Sequence, residues 1–379
     1  MKMGIEIEYW VIDDRGDLCD GRDLTEVHDR VKPEFIPPLI EVQTSPVETR
    51  HALERELQEV LSVVLAEAEA SDRQLVPLGT PLSRISPSVT NDRGELFEEI
   101  YGGGILSAKN SAGTHVHFEK GSVVDQINLL TALDPAIALL SSSPYYCGRF
   151  HRNCSRAHAY RYDAGEEFLP YTDLWPYAES VEERRERVDR VHERFVDLAA
   201  EKGISRDRLE EHFSPPNTIL TPVRLREELP TVEWRAPDSA PPSQVVQLAA
   251  DVRLLVLLTE EMPVEIAEPE TPTDQFGVGS DRILVPDFET LEYLTKQAIR
   301  WGTDAPAVET YLQAMGFDLD RYDPLSMRID QKRRIGKRDA REIRLEFAGM
   351  LARDVSQLAK EPDIGSPSRT AARKAPQFD

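Results

Sequence analysis

Four short segments of this 379-residue chain alternate apolar side chains with ionisable ones, and that alternation constrains the fold more than any other feature. Successive side chains of a β-strand point to opposite faces, so residues i and i+2 share one. In Ile5-Glu6-Ile7-Glu8-Tyr9 the shared face is anionic, while Ile5, Ile7 and Tyr9 supply an apolar back. Ile40-Glu41-Val42-Gln43 places Glu41 beside Gln43, and His115-Val116-His117-Phe118-Glu119 gathers two imidazoles and a carboxylate. Val232-Glu233-Trp234-Arg235 sets Glu233 beside Arg235. A polar strand face turned to solvent is ordinary in antiparallel sheets. Thr, Ser and Lys usually fill that role; two imidazoles and a Glu/Arg pair do not. A curved, mainly antiparallel sheet with a polar, cupped inner face collects these groups in one cavity. Three or more carboxylates converging there cannot all stay ionised without cations. Hard oxygen ligands of this kind suit Mg2+ or Mn2+ holding phosphate oxygens.

Around these strands the chain reads as mixed. A Ser45-Pro46-Val47-Glu48 capping box opens a helix that buries Leu53, Leu57, Val60, Leu61, Val64, Leu65 and Ala68 at helical spacing. Residues 79–104, rich in Gly, Pro, Ser and Asn, read as a long loop, and loops of that length are usually functional or mobile. An apolar helix follows over 123–140, an irregular stretch over 144–178, and a charged amphipathic helix over 180–202. A hairpin (219–225 with 231–236) precedes a helix that is apolar over 245–258. Strands and helices do not alternate regularly, so the expected class is α+β, with helices on the outer face of the sheet. The expected organisation is one catalytic domain over 1–360, helical from about 260, and a disordered polar tail over 361–379.

Composition removes several functions. The net charge is −23 and no basic stripe offsets it, so nucleic acid is not an expected partner. Only 10 of the 45 basic residues are lysine. Dispersed carboxylates with little lysine suit a surface kept soluble in concentrated salt, where self-repulsion is screened. No apolar run is long enough to span a bilayer and no signal peptide is recognisable, so a cytoplasmic, membrane-free protein is expected. Cys19, Cys147 and Cys154 are too few and too irregularly spaced for a disulfide framework or a zinc site. Neither G-x-x-x-x-G-K-[ST] nor G-x-G-x-x-G after a strand is present, and Gly102-Gly103-Gly104 reads first as a flexible turn.

The ordered segments together carry a resemblance. Gly4-Ile5-Glu6-Ile7-Glu8-Tyr9 resembles the opening G-x-E-x-E strand of the glutamate–cysteine ligase superfamily, in particular the type 2 carboxylate–amine ligases of prokaryotes. Leu39-Ile40-Glu41-Val42-Gln43-Thr44-Ser45-Pro46, Gly113-Thr114-His115-Val116-His117 and Thr231-Val232-Glu233-Trp234-Arg235-Ala236-Pro237-Asp238 resemble its later strands in the same order. The resemblance covers most of residues 4–260. It implies a glutamine-synthetase-like sheet and ATP-dependent phosphorylation of a carboxylate, typically the γ-carboxylate of glutamate, followed by attack of an amine. Cysteine is the leading amine, and another amine remains open. Carried over, Glu6, Glu8, Glu41 and Glu233 are metal ligands for Mg2+ or Mn2+, and His115 and His117 sit at the metal and nucleotide site. Arg235 neutralises the transferring phosphoryl group with Glu233 beside it, and Gln43 and Arg224 join the binding set. Residues 145–171 (Arg149, Arg152, Arg156, Arg161, Tyr160, Tyr162, Tyr171) lie where relatives bind the amino acid; several of these arginines can clamp an α-carboxylate, and Arg161 stands among the candidates. A homodimer is the assembly that the resemblance suggests.

Two other classes fit parts of the pattern. A metal-dependent hydrolase can use His115-x-His117 as a metal pair, although His151, His158, His192 and His212 show no comparable pairing along the chain. A non-catalytic binding module would keep the cup without turnover, and no residue of the cup is missing to support it.

Overall fold

One long strand organises the molecule. In the computed structural model, which describes residues 1–163 and 165–358, β1 (Met3–Asp13) is paired along both edges. The strands that follow are β2 (Val31–Pro33), β3 (Leu39–Gln43), β4 (Arg73–Val76) and β5 (Thr114–Glu119). A two-stranded hairpin, β6 (Tyr145–Tyr146) and β7 (Arg149–Phe150), stands apart from the sheet. It turns through Cys147 and Gly148, both at positive φ (51° and 77°), the backbone that a two-residue hairpin loop demands. β8 (Val223–Leu225) and β9 (Thr231–Trp234) complete the main sheet.

The sheet runs β2-β3-β1-β5-β9-β8, every pair antiparallel, with β4 on the far end of β1. It is an open sheet in an α+β protein, as the alternating segments require. Its apolar face (Ile5, Ile7, Tyr9, Ile40, Val42, Val116, Phe118, Val232) is buried with Leu53, Leu57, Val60 and Val64 of the helix Arg50–Ala70. Val245, Val246, Ala249 and Val252 of the helix Pro242–Leu258 join the same cluster, which extends from Met3 to Leu358. Each such side chain contributes roughly 1.5–3 kcal/mol of burial, so the polar face is held open by a well-packed back.

Several elements differ from expectation for local reasons. The first helix starts at Arg50, capped by Thr49, whose hydroxyl accepts from the Ala52 amide at 3.2 Å. Val47 is instead bound to Met3 through two backbone hydrogen bonds of 2.8 Å, so sheet pairing outcompetes the Ser45 box. The 123–140 run breaks into the helix Val123–Ala132 and a 3-10 segment, Asp134–Leu140, bent by 56° where Pro135 enters. Among the described residues no single helix is long and apolar enough to cross a membrane. The 79–104 segment contains the helix Asp92–Tyr101, capped by Asn91 and seated on an aromatic cluster with Phe168, Phe195 and Phe213. Past residue 260 the chain first forms a small sheet (Val264–Ile266, Gly277–Val278, Ile283–Val285) and only then becomes mainly helical. The expected tail over 361–379 lies outside the described residues.

Candidate active site

Strand register carries the site. Glu8 stands opposite Glu41, Glu6 opposite Gln43 on one edge of β1 and opposite His115 on the other. His117 stands opposite Glu233, which in turn faces Arg224 on β8. Directly opposed side chains lie within contact range, and like charges so placed repel. The register therefore concentrates carboxylates instead of separating them, and all four alternating segments share one face of one sheet.

His115 is the centre of the group. Its Nδ1 lies 3.1 Å from Glu6 Oε2, 3.9 Å from Glu233 Oε1 and 4.0 Å from Glu41 Oε2; its Nε2 lies 3.8 Å from Glu8 Oε1. Burial, with Arg235 nearby, pushes the imidazole below its ordinary pKa and favours the neutral ring. A proton on Nδ1 given to Glu6 leaves the Nε2 lone pair facing Glu8. Burial opposes ionisation of Glu6, but the hydrogen bond with His115 and the nearby imidazole of His117 (3.5 Å) hold its carboxyl below the usual range. The Gln43 amide donates to Glu41 at 2.8 Å, and the Gly113 amide donates to Glu8 at 2.7 Å.

Glu34, which follows β2, joins the cluster and was not anticipated. It sits among Pro33, Pro37 and Pro38, where no period-two pattern exists to flag it. Burial, then the Glu8 charge, raises its carboxyl to about 8; burial, then Glu6, Glu34 and Glu8, raises Glu41. None of Glu6, Glu8, Glu34 or Glu41 has a Lys or Arg nitrogen within 4.0 Å among the described residues. The opposite holds for Glu233. Burial alone would raise it, yet Arg235 and Arg224 keep it well below the usual range. Arg224 grips it with two hydrogen bonds (2.6 and 3.0 Å), Arg235 donates to it, and Arg226 lies at 3.4 Å.

The donor set fits a hard divalent cation. Ligating atoms of Glu6, Glu41 and His115, of Glu6, His117 and Glu233, and of Glu8, Glu34 and Glu41 lie within 4.8 Å of one another in each trio. His117 Nδ1 is 3.2 Å from the Thr231 hydroxyl, whereas its Nε2 is buried without a hydrogen-bond partner among the described residues. Carboxylates in excess of cations are the chemistry of Mg2+ or Mn2+ sites.

Glu6, Glu8, Glu34, Glu41, His115 and Arg235 line a cavity of about 500 Å3, a size suited to a small-molecule site, with His117 and Glu233 behind them. The helix Asp92–Tyr101 supplies Arg93 and Phe97 as its far wall, and Gly104, in a short turn, reaches its rim. Of the 145–171 stretch, Arg156 and Tyr160 face the cavity. Arg156 Nη1 donates to the carbonyls of Ala236 (3.1 Å) and Pro237 (3.2 Å), and its buried Nε has no partner among the described residues. Arg161 is corrected: it is buried and committed to Asp134 by two hydrogen bonds (2.6 and 2.7 Å). Tyr171 is buried among aromatic rings, while Arg149 and Arg152 are exposed. Histidine pairing is corrected too: His151 and His158 meet outside the cavity with ring centroids 4.1 Å apart.

Residues 2–278 match the model of glutamate-cysteine ligase family 2. The chain belongs to that family. Family membership makes it a ligase that forms carbon–nitrogen bonds, which sets aside the hydrolase alternative. A Bordetella avium (strain 197N) protein named "Putative glutamate--cysteine ligase 2" is 26% identical over 368 residues, covering 91% of this chain and 84% of that one. A bifunctional glutathione synthetase from Pasteurella multocida has a similar fold, with a TM-score of 0.51 at 17% identity over 95% of this chain. The family 2 chain spans half of that synthetase's length.

Proposed function

We propose that this family 2 ligase uses ATP to activate the γ-carboxylate of glutamate and then joins it to an amine, with cysteine the leading acceptor. The observation that carries the reading is the division of the polar face into a carboxylate cluster with no Lys or Arg partner among the described residues and an arginine cluster around Glu233. Phosphoryl transfer is mostly positioning and charge stabilisation, and both halves serve it. Glu6, Glu8, Glu34 and Glu41, with His115 and His117, would hold Mg2+ or Mn2+, which when bound supplies positive charge to phosphate oxygens. Arg235, oriented by Glu233, and Arg226 present guanidinium groups to the transferring phosphoryl group. Arg224 keeps Glu233 ionised and in place.

In the first step a γ-carboxylate oxygen bonds to the γ-phosphorus of ATP and ADP leaves. In the second, the amine nitrogen bonds to the acyl carbon, phosphate departs with the bond pair, and the nitrogen gives up a proton. Arg156 would hold the amino acid's α-carboxylate, a reading supported by its buried Nε, which lies at the cavity wall without a partner among the described residues. Phe97, Tyr101 and Ile105 give that wall an apolar part that helps to exclude water.

The test is phosphate release from ATP, Mg2+ and glutamate across an amine panel that includes cysteine, in molar salt. Release that depends on both glutamate and one amine supports the reading. Absence of release with every amine overturns it, and tight nucleotide binding without release would favour the non-catalytic module.

A further inference from the structure

Outside the catalytic cavity, one cluster has ligand chemistry that the ligase reaction does not use. His151 follows the β6–β7 hairpin, His158 lies on the helix Ser155–Tyr162, and Asp163 caps that helix. His151 Nε2 is 3.2 Å from Asp163 Oδ2, and His158 Nδ1 is 3.9 Å from the same oxygen. One ligand atom from each residue lies within 4.8 Å of the other two. The His158 Nδ1 that lies near this oxygen is buried and has no hydrogen-bond partner among the described residues. A buried polar atom left without a partner is uncommon and calls for an unseen water or ion.

We propose that His151, His158 and Asp163 form a binding site for a zinc-class divalent transition metal, separate from the carboxylate cluster. Two imidazole nitrogens and one carboxylate oxygen, with water in the fourth position, make a common Zn2+ donor set. Imidazole-rich sites take Zn2+, Co2+, Ni2+ or Cu2+ well, whereas Mg2+ favours sites dominated by carboxylate oxygens. The two sites are therefore chemically distinct: the oxygen-rich cup suits Mg2+, and the outer site suits Zn2+. Side-chain exposures of 23% at His151 and 34% at Asp163 leave the outer site open for metal entry and for a bound water. A metal held there ties the chain after the hairpin to the helix that carries Arg156 and Tyr160 into the cavity. Its role is positional: it fixes the segment that presents the proposed substrate arginine.

The experiment uses the full chain, stripped with chelator and kept in excess Mg2+, and titrated with Zn2+ against a chromophoric chelator. Wild type is expected to take up one equivalent that His158→Gln and His151→Gln do not. Asp163→Asn, on an exposed side chain that leaves the packed rings untouched, is expected to bind at least ten-fold more weakly. Glu8→Gln is expected to keep the equivalent. Co2+ should give visible four-coordinate absorption in wild type and Glu8→Gln and none in His158→Gln. Zn2+ should raise the melting temperature of wild type and leave that of His158→Gln unchanged. Equal Zn2+ uptake by wild type and all three site variants overturns the proposal. So does uptake lost in Glu8→Gln and retained in His158→Gln, which would place the ion in the cup.

Discussion

The two ends of the polar face solve the problem of buried charge in opposite ways. At the β8–β9 end one carboxylate, Glu233, meets Arg224, Arg226 and Arg235, so the cluster is complete and carries excess positive charge. At the β1–β3 end Glu6, Glu8, Glu34 and Glu41 meet no Lys or Arg within ion-pair distance among the described residues, and burial, then repulsion between the carboxylates, raises Glu34 and Glu41. The first end is held together by its own side chains. The second carries uncompensated negative charge, the asymmetry that the proposed binding of a metal phosphate would use.

The comparison breaks most sharply at Glu233. Glu233→Gln leaves three guanidinium groups around an amide in a dry site, and losing one member of a buried ionic cluster costs about 3–5 kcal/mol. The expected result is a large fall in unfolding free energy by denaturant titration, together with loss of turnover. Unchanged stability would mean that the arginines are oriented by something other than Glu233. Arg161→Ala should cost a similar amount, because it leaves Asp134 buried and unpaired. Arg156→Ala should instead raise KM for the amino acid about 10–100-fold, equivalent to one or two lost charge-assisted hydrogen bonds. A larger KM effect from Arg161 than from Arg156, measured on folded protein, would reverse the assignment.

Those two arginines show where sequence reading stops. Glu6, Glu8, Glu41, His115, His117, Glu233 and Arg235 were legible because a period of two fixes which face a strand residue takes. Arg156 and Arg161 lie five apart on a segment read as irregular, and a one-dimensional pattern cannot tell which meets Asp134 and which meets the cavity. Glu34 was silent for a related reason: it sits in a proline-rich connection, and only the pairing of β2 with β3 brings it to Glu41. The helix Asp92–Tyr101 was hidden because Asn91-Asp92-Arg93-Gly94 has turn composition, while the burial of Leu96, Ile100 and Tyr101 that stabilises it is tertiary. His151 and His158 likewise meet only in space.

Asp238 falls between the two extremes and sharpens the comparison through pH. It is buried, its nearest cation is Arg156 Nη1 at 4.0 Å, and Ser142 donates to it at 3.0 Å. Burial raises its carboxyl to about 6, more than Arg156 and Ser142 lower it. The folded pKa exceeds the unfolded one, so the folded state binds the proton more tightly. The associated stability is fully present below the unfolded value, near 4, and is lost as pH rises through about 6. Its size is on the order of 2–3 kcal/mol. Asp238→Asn should flatten the stability-against-pH curve over that window, and a curve with the wild-type slope would assign the proton elsewhere.

The smallest stability effect is the one that best separates the two ends. Glu41→Gln removes a carboxylate from the unneutralised cluster and keeps the volume, so Glu6, Glu34 and Glu8 lose a repulsive neighbour and no Lys or Arg among the described residues loses a partner. Metal-free protein should therefore become more stable by about 1 kcal/mol, whereas Glu233→Gln does the reverse. Wild type should gain melting temperature on adding Mg2+ or Mn2+, and Glu41→Gln should gain less, because a ligand has gone while the repulsion that the cation relieves has also fallen. Thermal melts of both variants, with and without the cation, read these signs directly. If Glu41→Gln destabilises the metal-free chain as Glu233→Gln does, the carboxylates of β1 and β3 are already neutralised within the protein, and the two ends of the face are not electrostatic opposites.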